Sequence, residues 1–133
     1  MRFVLDASIV VTWAMRDEAH PVADRAFAEI QTGSAIAPAI LWYEIRNILV
    51  LNERRGRIAQ ADSSQFIAHL EAYEIAIDFP QDSGACLTLA RKHSLSVYDA
   101  AYLALAMRER APLATLDRQL AAAASAEGVP ILS

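Results

Sequence analysis

Three short apolar runs in this chain each end at an acid or a proline and pass straight into a segment with helical spacing. Arg2 to Leu5 is closed by Asp6, Ala35 to Ala37 by Pro38, and Leu113 to Thr115 leads through Leu116 to Asp117. A short apolar run with a breaker reads as a buried strand, and apolar residues three and four apart as a helix. Strands alternating with helices favour a parallel sheet covered on both faces, so the expected fold is α/β, a three-layer α/β/α sandwich. In such sheets ligands gather beyond the carboxyl ends of the strands. Asp6 and Asp117 stand at two of those ends.

The remaining punctuation fits one domain spanning residues 1–133. Ser8 offers an N-cap for a helix through Met15, and His20-Pro21 opens a second helix that Gly33 ends. A third runs from Ala39 and stops at Gly56, after Glu53-Arg54-Arg55. Asp62 with Gln65 has capping-box spacing for a helix carrying Phe66, Ile67 and Leu70. Glu74 to Phe79 reads as a strand, Asp82 as the cap of a helix with Cys86, Leu89 and Ala90 inward, and Val97 to Arg110 as a very apolar helix. After Asp117 an alanine-rich helix reaches Gly128, and Val129 to Leu132 is expected to close the sheet.

Composition narrows the class. The chain has 133 residues, 55% of them hydrophobic, enough apolar material to offset the entropy of ordering and to exclude intrinsic disorder. Its apolar runs fall well short of the ~18 residues a membrane span needs, and Asp6 interrupts the one N-terminal stretch that resembles a leader. Cys86 has no partner for an internal disulfide. Together these features read as a cytoplasmic protein with no membrane association. The net charge of -4 opposes nucleic-acid binding by bulk charge. Of the twelve basic residues only Lys92 is not arginine, which favours bidentate phosphate contact wherever binding is local.

Four acids sit in company that should repel them. Asp6 follows Phe3-Val4-Leu5, Glu44 shares a helical face with Leu41 and Ile48, Asp99 lies one turn from Tyr102 and Leu103, and Asp117 follows a strand. Each has a structural reading as a cap, a capping-box partner or a solvated charge. Their conjunction near strand ends favours a shared site. An ionised carboxylate withdrawn from water costs several kcal/mol unless a positive charge compensates it, and a divalent cation does this well. Oxygen donors without His or Cys point to Mg2+, with Mn2+ as the alternative, rather than zinc. His20, His69 and His93 lack ligand spacing and read as surface or capping residues.

The segments Val4-Leu5-Asp6-Ala7-Ser8, Tyr43-Glu44-Ile45-Arg46-Asn47-Ile48-Leu49, Leu95-Ser96-Val97-Tyr98-Asp99-Ala100-Ala101-Tyr102-Leu103-Ala104-Leu105-Ala106 and Leu113-Ala114-Thr115-Leu116-Asp117-Arg118-Gln119-Leu120 resemble, in order and spacing, the four motifs of PIN-domain ribonucleases. They are most similar to those of the VapC toxins of type II toxin-antitoxin systems. The resemblance implies a PIN-like sandwich, an acidic Mg2+ site, RNA cleavage, a homodimer and a cognate antitoxin. It carries Asp6, Glu44, Asp99 and Asp117 onto the catalytic, metal-binding quartet, and Ser8, Asn47 and Thr115 onto supporting polar positions. Arg118 and Gln119 stand where some members carry a further acid.

RNA contact is expected from Arg46, near Glu44, and Arg118, next to Asp117. Two other classes fit less well. A phospho-acceptor receiver would want paired acids at the first strand end and a late lysine, whereas Asp6 stands alone there and Lys92 falls on a helix. A PIN-like scaffold kept only to bind a partner would have no need of four intact acids.

Overall fold

The computed structural model describes residues 2–15, 18–79 and 82–133. Among them run four strands and seven helices: β1 (Arg2–Leu5), α1 (Ala7–Ala14), α2 (Pro21–Thr32), β2 (Ser34–Pro38), α3 (Ile40–Arg54), α4 (Gln60–Leu70), β3 (Ile75–Asp78), α5 (Ser83–His93), α6 (Val97–Glu109), β4 (Leu113–Ala114) and α7 (Arg118–Ala126). The sheet is entirely parallel, in the order β3-β2-β1-β4. This is the expected α/β sandwich. α6 lies against β1, β2 and β4 with α5 and α7 packed on it, while α1 packs on α2 and α3.

The strand order positions the site. The chain first builds outward from β1 to β2 and β3, then returns to add β4 on the other side of β1. The order therefore reverses between β1 and β4, the switch point at which an open α/β sheet leaves a crevice. Leu5 pairs with Ala114, and the ladder continues one step further as the Asp6 N–H donates to the Ala114 carbonyl at 3.1 Å.

The core explains the apolar surplus. Phe3, Val4 and Leu5 are fully buried, as are Leu41 and Ile45 of α3 and Leu103 and Leu113. α6 buries Ala100 and Tyr102 to Ala106, and so reads as apolar around most of its circumference. Breaks fall where backbone chemistry demands them. Gly56 ends α3 at φ +73°, and His20 caps α2 with Nδ1 accepting from the Val22 N–H at 3.1 Å. Among the described residues no helix is long and apolar enough to cross a membrane.

Several expected boundaries change. Val129 to Leu132 is not a strand; Ile131 forms a single bridge with Leu113, because Pro130 has no N–H to extend a ladder. α4 begins at Gln60, two residues before Asp62, so the supposed capping box lies inside the helix. The N-terminal flank of α1 is Asp6 rather than Ser8. Asp82 flanks α5 without a capping bond. Its carboxylate instead receives Arg108, which also donates to Asp78 at 2.5 Å, clamping the end of β3 and the start of α5 to α6.

Candidate active site

Asp6 is the deepest of the four acids, 5% exposed, at the carboxyl end of β1. Its Oδ2 receives two hydroxyls, Ser8 at 2.6 Å and Thr115 at 2.7 Å. Each hydroxyl also holds the facing chain. Ser8 Oγ accepts from the Leu116 N–H at 2.9 Å, and Thr115 Oγ1 from the Asp117 N–H at 3.0 Å. Asp6, Ser8, Thr115 and Asp117 thus form one hydrogen-bonded unit across the switch point. Ser8, read from sequence as a cap, spends its hydroxyl there.

Asp117 is the N-cap of α7, with Oδ1 accepting from the Leu120 N–H at 3.0 Å. Its structural role is therefore real and uses one oxygen. Asp99 lies in the first turn of α6, where Ser96 caps the helix by accepting from the Asp99 N–H at 3.0 Å. Among the described residues the only hydrogen bond between the pair is that one, so the Asp99 carboxylate is not committed as a capping-box partner. Glu44 reaches in from α3, half-buried, and Oε1 accepts the Tyr102 hydroxyl at 2.6 Å.

The electrostatics tie the four together. Burial pushes the Asp6 carboxyl upward; the Ser8 and Thr115 hydroxyls and the Ala7 N–H hold it back, and Asp117 adds to the rise. Glu44 is raised first by burial, with Asp6 and Asp99 adding repulsion and Tyr102 opposing. Asp99 is raised first by burial, then by Asp6 and Asp117, while Ser96 opposes. Among the described residues none of the four acids is ion-paired with Lys, Arg or His.

The donor set is all oxygen, as a hard cation requires, and mutually repelling carboxylates fit a positive ligand. Among the described residues no three His, Cys, Asp or Glu side chains converge into a ready-made cage. A hydrated divalent cation, held partly through its own waters, needs no such cage.

The other candidates separate. Arg118 is exposed at the start of α7, beside Asp117. Arg46 lies about 200° around α3 from Glu44. It donates to the Trp42 carbonyl at 3.1 Å, with its guanidinium over the Trp42 ring. Asn47 is exposed and forms no hydrogen bond with Glu44. The partner of Glu44 is Tyr102, counted from sequence only among the apolar neighbours of Asp99. Its position three residues after Asp99 was the available signal, since that spacing puts both on one face of α6.

Known proteins share this fold. The PIN domain family model matches residues 3–126. Ribonuclease VapC3 of Pyrobaculum aerophilum is 34% identical over 124 residues, covering 91% of this chain and 93% of that protein. The crystal structure of PAE2754 from the same organism superposes with a TM-score of 0.75 at 21% identity, over 99% of this chain and 90% of that one. The Mycobacterium tuberculosis toxin VapC20, described as sarcin-ricin loop cleaving, gives 0.67 at 16% identity, over 91% and 94%. A toxin-antitoxin complex from Klebsiella pneumoniae gives 0.57 at 16% identity, over 84% and 82%. With its acids at the switch point and a family match across nearly its whole length, the chain belongs to the PIN domain family, and within it is similar to the VapC ribonucleases.

Proposed function

We propose that this chain is a Mg2+-dependent endoribonuclease toxin, restrained by a cognate antitoxin. The observation that carries the reading is the set of four carboxylates at the β1/β4 switch point, mutually repelling and without a basic partner among the described residues. Similarity to a protein named as a ribonuclease supports the reaction class, and a fold neighbour solved as a toxin-antitoxin complex supports the partner.

Asp6, Glu44, Asp99 and Asp117 would hold the cation, with Mn2+ able to replace Mg2+. When bound, the ion supplies positive charge that acidifies an attacking water and offsets charge on the phosphodiester. The chain's own groups do the positioning. Ser8 and Thr115 fix the Asp6 carboxylate, and the Leu120 N–H fixes that of Asp117. Arg118, exposed beside Asp117, would take an RNA phosphate, while Arg46, turned away from Glu44 around α3, would contact RNA outside the acid site. Asn47 stays near Glu44 as a polar neighbour able to contact substrate.

The surface supports association. Tyr43 and Tyr98, 71% and 60% exposed, line with Leu87 and Val97 one largely apolar groove of about 610 Å3. Such a surface supports the expected homodimer. An antitoxin segment carrying a basic side chain would complement the acids.

The test is cleavage of RNA by the purified chain in Mg2+ and again in EDTA. Cleavage that stops with chelation and returns with added Mg2+ is the expected result; chelator-resistant cleavage, or none with either ion, refutes the reading. Co-expression with the product of the adjacent upstream reading frame tests the antitoxin; a small DNA-binding protein there should relieve any growth arrest.

A further inference from the structure

We propose that Tyr102 is a positioning residue for Glu44, holding its carboxylate at the metal site and so setting the affinity for the ion. The proposal rests on the reading of the four acids as a cation site. Three of those acids are placed by the backbone: Asp6 ends a strand, Asp117 caps α7, and Asp99 is in the capped first turn of α6. Glu44 differs. It lies within α3 at the end of a long, flexible side chain, and immobilising such a side chain costs up to about 2 kcal/mol of rotamer entropy.

Tyr102 supplies what the backbone does not. Its ring is fully buried, so its hydroxyl is held in place by the packing of α6. That hydroxyl donates to Glu44 Oε1 at 2.6 Å across 58 residues of chain. It binds one oxygen and leaves Oε2 for the site. Tyr102 is also one turn after Asp99, so the bond locks the α3 acid to the helix that carries the α6 acid. Donors of this kind, outside the ligands themselves, usually govern metal affinity by 10- to 100-fold.

The experiment is Mn2+ binding by calorimetry to wild type, Tyr102→Phe, Glu44→Gln and the double variant, with thermal melting to confirm folding. Tyr102→Phe should weaken Mn2+ binding roughly 10-fold. It should raise the Mg2+ concentration for half-maximal cleavage by a similar factor, with the rate at saturating Mg2+ restored to within about twofold. Adding it to Glu44→Gln should cause no further loss, because both changes cut one link. Equal Mn2+ affinity in wild type and Tyr102→Phe overturns this inference alone. Additive losses in the double variant overturn the route through Glu44. A wild-type chain that binds no Mn2+ overturns the metal-site reading and the inference with it. Should Tyr102→Phe melt early, the comparison of Glu44→Gln with wild type still reads whether Glu44 governs affinity, and unchanged binding there overturns the proposal.

Discussion

Thr115 and Asp6, 109 residues apart in sequence, are joined by a hydroxyl-to-carboxylate hydrogen bond of 2.7 Å. The same hydroxyl accepts from the Asp117 N–H, so one side chain orders two acids. Thr115→Val keeps the shape but removes both bonds. It should destabilise the chain by about 1–3 kcal/mol, the cost of leaving buried polar groups unpaired, and slow cleavage at least 10-fold. Thr115→Ser retains the hydroxyl and should behave much more like wild type. Urea unfolding and cleavage rates on both variants check this.

Asp6→Asn separates stability from function. Asn can still accept the Ser8 and Thr115 hydroxyls through its amide oxygen, but it carries no charge into a buried, acid-crowded position. In EDTA the variant should be more stable than wild type, by on the order of 1 kcal/mol. In saturating Mg2+ the ranking should reverse, since only wild type gains stability by binding the ion. Melting both proteins in EDTA and in Mg2+ gives the answer, and an Asn variant less stable than wild type in EDTA would contradict the electrostatic account.

A pH dependence follows with a definite sign. Asp6, Glu44 and Asp99 are all raised on folding, so the native chain retains protons that the unfolded chain has released. Their contribution is fully present below the ordinary carboxylate range and is lost as pH rises through the elevated native values. Glu127 acts in the opposite sense. Lys92 and His93 lower it, so its contribution is present above the ordinary carboxylate range and lost as pH falls. In EDTA the melting temperature should therefore decline as pH rises above the ordinary carboxylate range, and saturating Mg2+ should flatten that decline. Thermal melts across this rise in pH, with and without Mg2+, check it.

Local chemistry made much of this legible in the sequence. Asp6 and Asp117 announce themselves because a strand end and a helix start are both written in short-range pattern, and Asp117 does cap α7. What could not be read locally was how hydroxyls and helices are shared. From local pattern Ser8 looks like a cap because serine at a helix start usually is one, and only the family resemblance pointed it at the first acid; its hydroxyl does go to Asp6, where Thr115, just past β4, donates to the same oxygen. Tyr102 looks like core, and is core, yet its hydroxyl meets Glu44 from another helix. Arg46 misleads in the opposite direction, since two residues along a helix is close in sequence but turns the side chain away. The last apolar run, Val129 to Leu132, has strand composition but makes one bridge at β4, where Pro130 limits further pairing.

The central claim is that the acids at the switch point cleave RNA with the help of a divalent cation. Its most direct measurement is the cleavage rate in saturating Mg2+ of wild type beside Asp99→Asn, whose carboxylate takes no part in capping its own helix. The account predicts that the folded variant loses cleavage by at least 100-fold, together with its Mn2+ affinity. Wild-type rates from a folded Asp99→Asn protein would contradict it.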